Sequence, residues 1–275
     1  MIGRSGALVD LAGLLIEVTG ALDPEEIQTT DRLRTTRNGT VAFRLEVERC
    51  APMASGPPAA IVEADALSAR RIVIRHREFR AELDPFDGTG TLARSDGSGA
   101  ALDVTLQVAA KALLPTRNAL PLHGAGISLY GRGVVFFGVS GAGKSTISAL
   151  SPHPVVSDEL VAVAASAGGW RLRSTGFSEG LQTSPRPPAR PYVDLPLAAL
   201  VELGKGPTFR LEQAAPARAF RRLLDVAMVP PAAPLWAAGL SVLRQLAETV
   251  PVFRLEWTPK EAPWVELERA LGRTD

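Results

Sequence analysis

The sequence has a single cysteine, Cys50, so no intrachain disulfide can form and a reducing compartment suits it. It has almost no net charge, with 30 Lys and Arg against 29 Asp and Glu. That balance argues against nucleic-acid binding through bulk electrostatics. Long apolar runs are missing too: none reaches the ~18 uninterrupted residues that a membrane span needs. Gly6 to Gly20 is apolar but broken by Asp10 and Glu17, and no small-residue cleavage site follows a basic start. The expectation is neither a secretory signal nor a span, no membrane partner, and a cytoplasmic protein. Lysine is also scarce, at four positions (Lys111, Lys144, Lys205 and Lys260) beside 26 arginines. What is present is 46% hydrophobic content over 275 residues. That is enough for one large core or two modest ones, with no sign of disorder or coiled coil.

Against that background one lysine stands out. Val134-Val135-Phe136-Phe137 reads as a strand, and Gly138-Val139-Ser140-Gly141-Ala142-Gly143-Lys144-Ser145-Thr146 follows it, opening into helix-compatible Ile147–Leu150. This is the phosphate-loop pattern G-x-x-x-x-G-K-[ST] in its strand-to-helix context. A polyphosphate must be wrapped by backbone N–H groups, and glycines let the chain turn that tightly and approach that closely. The helix starting near Lys144 aims its positive end at the same anion. Lys144 is then expected to reach the β- and γ-phosphates, and the Ser145 hydroxyl to ligate Mg²⁺. The cofactors expected are ATP or another nucleoside triphosphate, with Mg²⁺.

Residues 1–115 are predicted as a β-rich N-terminal region and 116–275 as the core with C-terminal helices. In the first, alternating segments at Leu14–Val18, Val41–Val47, Arg71–Ile74 and Phe79–Leu83 read as strands, with turns at Asn38-Gly39, Asp87-Gly88 and Asp96-Gly97. Its acidic residues, among them Asp23, Glu25, Glu26, Glu46 and Glu48, are spaced like solvated strand faces and helix starts. Thr105–Leu114 has helical character that Pro115 stops. Leu120–Tyr130 and Val134–Phe137 are predicted as a hairpin turning at Gly131-Arg132-Gly133, which makes the phosphate-loop strand a returning arm. The helix after the loop must be short, because Ser151-Pro152-His153-Pro154 ends it.

Val155-Val156 then delivers Ser157-Asp158-Glu159, and Leu160–Ala165 with Trp170–Ser174 reads as a further hairpin. Ser184–Pro191 is proline- and arginine-rich and reads as an exposed loop, either a cover for substrate or a plain connector. Beyond it come a strand at Leu197–Leu203, helices at Ala215–Met228 and Leu235–Leu246, a strand at Val250–Trp257 and a terminal helix at Glu261–Leu271. His76 is read as exposed on a strand and His153 as a loop residue.

Three stretches in order carry a resemblance. They are Leu122-His123-Gly124, with His123 fifteen residues before Gly138; the loop Gly138–Thr146; and Val155-Val156-Ser157-Asp158-Glu159-Leu160-Val161. Together they resemble the kinase core of the HPr kinase/phosphorylase family, which shares its fold with ATP-type phosphoenolpyruvate carboxykinases. The likeness is close over about 45 residues and looser to about 205, where Leu195–Leu203 looks like the strand of HPr-kinase-like proteins found beside peptide-modification genes.

The resemblance implies an α/β fold with a curved mixed sheet packed on the loop helix. It also implies that Asp158 is the essential acidic residue, general base for a substrate hydroxyl and contact to Mg²⁺. Glu159 stands where a second Asp is usual and becomes a further metal ligand; His123 sits near the γ-phosphate. Spacing is compatible with this: a strand end fourteen residues after Lys144 can bring Asp158 beside Ser145.

The segment from Lys144 to Asp158 is about three residues shorter than in HPr kinases, and the family's downstream Arg-Gly-Leu-Gly signature is absent. Neither the phosphorylase reaction nor HPr as acceptor is therefore implied. The expected activity is transfer of a γ-phosphoryl group to a serine hydroxyl of a protein or peptide, with homo-oligomerisation left open. An adaptor that binds nucleotide without transfer, and a kinase of a small molecule such as free serine, stay open beside it. Arg171, Arg173, Arg186 and Arg190 are the candidates for stabilising transferred charge.

Overall fold

The computed structural model describes residues 5–51, 56–64, 70–95, 100–177, 192–258 and 263–272. It is a strand-rich mixed α/β structure with two mixed sheets. The chain divides into two compact units. Met1–Arg117 with Val229–Ala238 forms one; Asn118–Leu181, Tyr192–Met228 and Gly239–Asp275 form the other. No helix among the described residues is long and apolar enough to cross a membrane. The Asp96-Gly97 turn and the Ser184–Pro191 loop lie outside the described residues.

The first unit holds β1 (Ser5–Leu11), β2 (Leu14–Gly20), α1 (Pro24–Leu33), β3 (Val41–Arg49), β4 (Ile61–Ala64), β5 (Ile72–Arg75), β6 (Phe79–Asp84), β7 (Thr89–Arg94) and α2 (Ala101–Leu113). The sheet order is β1-β2-β3-β7-β6-β5-β4. β3 runs parallel to both its neighbours, and the other pairs are antiparallel. Alternation sets its faces: Phe43, Leu45 and Val47 are buried while Arg44, Glu46 and Glu48 are exposed.

α1 is not among the sequence expectations, although its start carries a full capping box. The Asp23 carboxylate accepts the Glu26 N–H, the Glu26 carboxylate accepts the Asp23 N–H (both 2.9 Å), and Pro24 stands in the first turn. Glu26 also corrects the reading of this acidic group as solvated. It is fully buried and forms a two-pronged pair with equally buried Arg94. An apolar sheet with a helix across it leaves a buried cation that only an equally buried carboxylate can neutralise.

The second unit begins with β8 (Ala119–Leu129) and β9 (Arg132–Phe137), a hairpin whose turn is Tyr130-Gly131, both at positive φ (49° and 77°). The turn is two residues long, so Arg132 and Gly133 belong to the returning strand rather than to the turn. After β9 come α3 (Lys144–Ala149), β10 (Val155–Ser157), β11 (Leu160–Ser166), β12 (Gly169–Ser174), β13 (Asp194–Lys205), β14 (Arg210–Gln213), α4 (Pro216–Leu224), α5 (Ala233–Thr249, within this unit from Gly239), β15 (Val252–Trp257) and α6 (Trp264–Leu267), which continues as a wider turn to Gly272.

β13 changes partner along its length. Its start pairs antiparallel with β12, and its end lies parallel between β9 and β15. Because β12 pairs with β11 and β11 with β8, the strands β8, β9, β13, β12 and β11 close on themselves. One face of β8, β9, β13 and β15 is apolar: Ala125, Ile127, Val134, Phe136, Val201, Leu203, Leu255 and Trp257 form a cluster with Ile147 of α3 and with Trp264 and Leu267 of α6. That cluster seats the helix after the glycine-rich loop 138–143.

Candidate functional site

β9 delivers the loop from inside the core, with Val134 to Phe137 at most 1% exposed. Gly138 has no room for a side chain: a Cβ there would lie 2.9 Å from Ala142 Cβ and 3.2 Å from the Leu203 carbonyl oxygen. Gly143 stands at φ +106°, in the left-handed region that glycine favours, and a Cβ would press on the Trp257 ring at 3.3 Å. Between them Ala142 N–H closes a tight turn on Val139 C=O at 3.1 Å. Val139, Ser140, Gly141 and Ser145 are exposed, whereas Lys144 is 8% exposed. The Lys144 ammonium donates to the carbonyls of Gly138 (2.9 Å) and Val139 (3.4 Å), inside its own loop. α3 is short, as expected; its Ile147 N–H bonds to Gly143 C=O at 2.9 Å.

The acidic pair lies at the same level of the sheet. Gly124 of β8 stands opposite Phe137, the residue before the loop. On its other edge β8 pairs with β10 and β11 in one antiparallel course, Gly126 facing Ser157 and His123 facing Leu160. Asp158 and Glu159 form the bend that joins these two pairs in unbroken register, the bulge of this course falling before it at Val156, and the Gly124 N–H donates to Glu159 C=O at 3.1 Å. Gly124 is thus flanked by the loop's entry on one side and by the acidic bend on the other. Two interstrand spacings separate the outer backbones, about 10 Å.

Asp158 and Glu159 are half-buried, as is His123. Strand alternation puts His123 on the face of Ala125, Ile127 and Phe136, against which α3 packs. Its N–H donates to Val226 C=O at 2.8 Å, where the chain leaving α4 runs beside β8.

Among the described residues no three His, Cys, Asp or Glu side chains gather into a metal site. A divalent cation beside Ser145 and the acidic pair would therefore draw its remaining oxygens from phosphate and water, the usual arrangement for Mg²⁺. The glycine cradle, the inward lysine and the exposed Ser145 fit a triphosphate with its cation.

The candidate arginines divide. Arg171 and Arg173 of β12 both pair with Asp194, at 2.6 and 3.3 Å. Arg186 and Arg190 lie outside the described residues.

Sequence reading passed over a further group on α4. Glu202 of β13 stands opposite Phe137, on the sheet face away from α3, with Arg222 at 3.3 Å and Arg218 at 3.9 Å. The available signal was an acidic residue inside the apolar run Leu197–Leu203. His153 is more than a loop residue: its Nε2 lies 2.9 Å from Glu268, and its ring meets Tyr130 and Trp264 edge-on. His76 is half-buried just past β5, with Nε2 3.0 Å from Pro58 C=O.

No family model matches the chain, and no curated protein matches it. Among solved structures it is similar to the HPr(Ser) kinase/phosphatase from Coxiella burnetii, at 13% identity over 54% of this chain and 86% of that one, with a TM-score of 0.30.

Proposed function

We propose that this chain is a nucleoside-triphosphate-dependent phosphotransferase, passing the γ-phosphoryl group to a serine hydroxyl on a protein or peptide in the manner of HPr kinases. The observation that carries this reading is Gly124, with the phosphate-loop strand on one edge and the Asp158-Glu159 bend on the other. Phosphoryl transfer asks mainly for positioning and charge neutralisation, and that needs a phosphate cradle and a carboxylate within one site.

The residues take these parts. Loop N–H groups and the start of α3 bind the β- and γ-phosphates. The Lys144 ammonium exchanges the carbonyls of Gly138 and Val139 for phosphate oxygens, so its charge is delivered when the nucleotide enters. Ser145 and Asp158 would hold the cation, with Glu159 as a further ligand, and a cation bound there would supply neutralisation of phosphate charge. Asp158 accepts the proton of the attacking hydroxyl as the new O–Pγ bond forms and the bond from Pγ to the β-γ bridging oxygen breaks, releasing the diphosphate. His123 lies on the α3 face within the same group and contributes at the γ-phosphate.

Incubation with γ-labelled ATP and serine-containing peptides tests the reading. Transfer of label to a peptide, lost in Asp158→Asn while nucleotide binding persists, is the expected result. Undiminished transfer by that variant removes Asp158 as base. Binding without any transfer makes the chain an adaptor, and label on free serine alone makes it a small-molecule kinase.

A further inference from the structure

The bend that carries Asp158 is pinned by side chains that no part of the proposed chemistry uses. Ser157 is 1% exposed and its hydroxyl donates to Leu160 C=O at 2.6 Å, with Phe177 C=O at 3.2 Å. Thr175 is fully buried and donates to the same Leu160 carbonyl at 2.7 Å. A carbonyl oxygen has two lone pairs, so both acceptor positions of Leu160 are taken by hydroxyls that reach it from two different segments. With Gly124 N–H on Glu159 C=O, the backbone is held at 159 and 160 and the side chain at 157. Asp158 is the residue between these fixed points.

Asp158 and Glu159 form a bend between two strands, where fewer ladder bonds hold the backbone than within a strand. β10 is only three residues long and its pairing to β8 is broken by a bulge at Val156, so regular strand pairing alone does little to fix the bend that follows. Two buried hydroxyls aimed at one carbonyl supply what the ladder omits. A carboxylate that must meet both a cation and an acceptor hydroxyl needs its backbone fixed to within a fraction of an ångström.

We infer that Ser157 and Thr175 are positioning residues that set the Asp158 carboxylate for the cation of the nucleotide. The inference rests on the reading of Asp158 given above. Removing groups one shell away from a metal ligand typically lowers metal affinity about 10–100-fold.

The test is a Mg²⁺ titration of nucleotide binding by the full chain, using the β,γ-imido analogues of ATP and GTP and calorimetry as the readout. Ser157→Ala and Thr175→Val are each expected to raise the Mg²⁺ concentration at half-saturation about 10–100-fold. The affinity for nucleotide in EDTA should stay unchanged, and Thr175→Ser should restore the wild-type value. Combined with Asp158→Asn, the Ser157→Ala change should add less than about twofold, since the carboxylate it positions is gone.

Full additivity in that double variant, or an equal loss of affinity in EDTA, overturns the inference and leaves Asp158 as ligand intact. An unchanged Mg²⁺ half-saturation in Asp158→Asn alone overturns the reading itself, and needs no Ser157 variant to be seen. If Ser157→Ala loses its fold by circular dichroism, the Val and Ser replacements at Thr175 decide the matter.

Discussion

Lys144 is held inward by two carbonyls, and that arrangement sets what its loss should do. Lys144 is 8% exposed as a residue, and its ammonium, donating to the Gly138 and Val139 carbonyls, is already largely out of water before any phosphate arrives. Binding phosphate then replaces neutral acceptors by anionic ones, without a fresh desolvation cost. Hydrogen bonds to charged groups contribute about 1.5–3 kcal/mol each. Lys144→Ala should therefore weaken nucleotide binding about 10–100-fold in calorimetry, with little change in melting temperature. A fall in stability equal to the fall in affinity would instead make the lysine a part of the loop's own fold. Gly138 and Gly143 were readable as loop glycines from spacing alone. That Trp257 backs Gly143 was not, because the contact joins residues more than a hundred positions apart.

At the scale of single elements, α1 offers the sharpest contrast between local and distant information. Its capping box is a local signature, yet its interior is polar, and the reason lies in β7: Arg94 is fully buried and meets Glu26 across the sheet. Glu26→Gln would take from that guanidinium its fully buried, two-pronged charge partner, and breaking one side of a buried pair costs about 3–5 kcal/mol. The expected outcome is a large drop in the urea midpoint of the first unit, while Asp23→Ala, which removes only the cap hydrogen bond and a 3.4 Å contact to Arg94, costs about 1 kcal/mol. Equal effects would mean that Arg94 is solvated or re-paired in the variant.

The same division explains what was legible elsewhere. Strands with clean alternation, such as Val41–Arg49, and the hairpin entering the phosphate loop were readable because period and turn chemistry are local. β1, β4, β7 and β14 were not anticipated; β4 and β14 are only four residues each and stand at sheet edges. The partner exchange of β13, and the register that puts Asp158-Glu159 beside Gly124, depend on pairings between distant stretches that no window of sequence contains.

Across the second unit as a whole, stability should depend on pH through the C-terminal turn. Glu268 accepts the Tyr130 hydroxyl at 2.7 Å and lies 2.9 Å from His153 Nε2, tying the β8–β9 turn and the exit of α3 to the end of the chain. Those two hydrogen bonds, the tyrosine's first, hold its carboxyl below the ordinary glutamate range, against a smaller opposing effect of burial. A depressed folded-state pKa contributes stability that is fully present above the unfolded value of about 4.3. That contribution is lost as pH falls through the folded value. Denaturant midpoints for wild type and Glu268→Gln should therefore differ at pH 7 and converge as the pH drops below about 4. Tyr130→Phe should show a smaller version of the same trend, since it removes one of the two hydrogen bonds. Because Trp264 lies edge-on to both His153 and Phe136 of the phosphate-loop strand, its fluorescence should report this loosening before the cooperative transition. A difference between wild type and Glu268→Gln that persists unchanged to pH 3 would mean that the carboxylate's charge is not what fastens the turn.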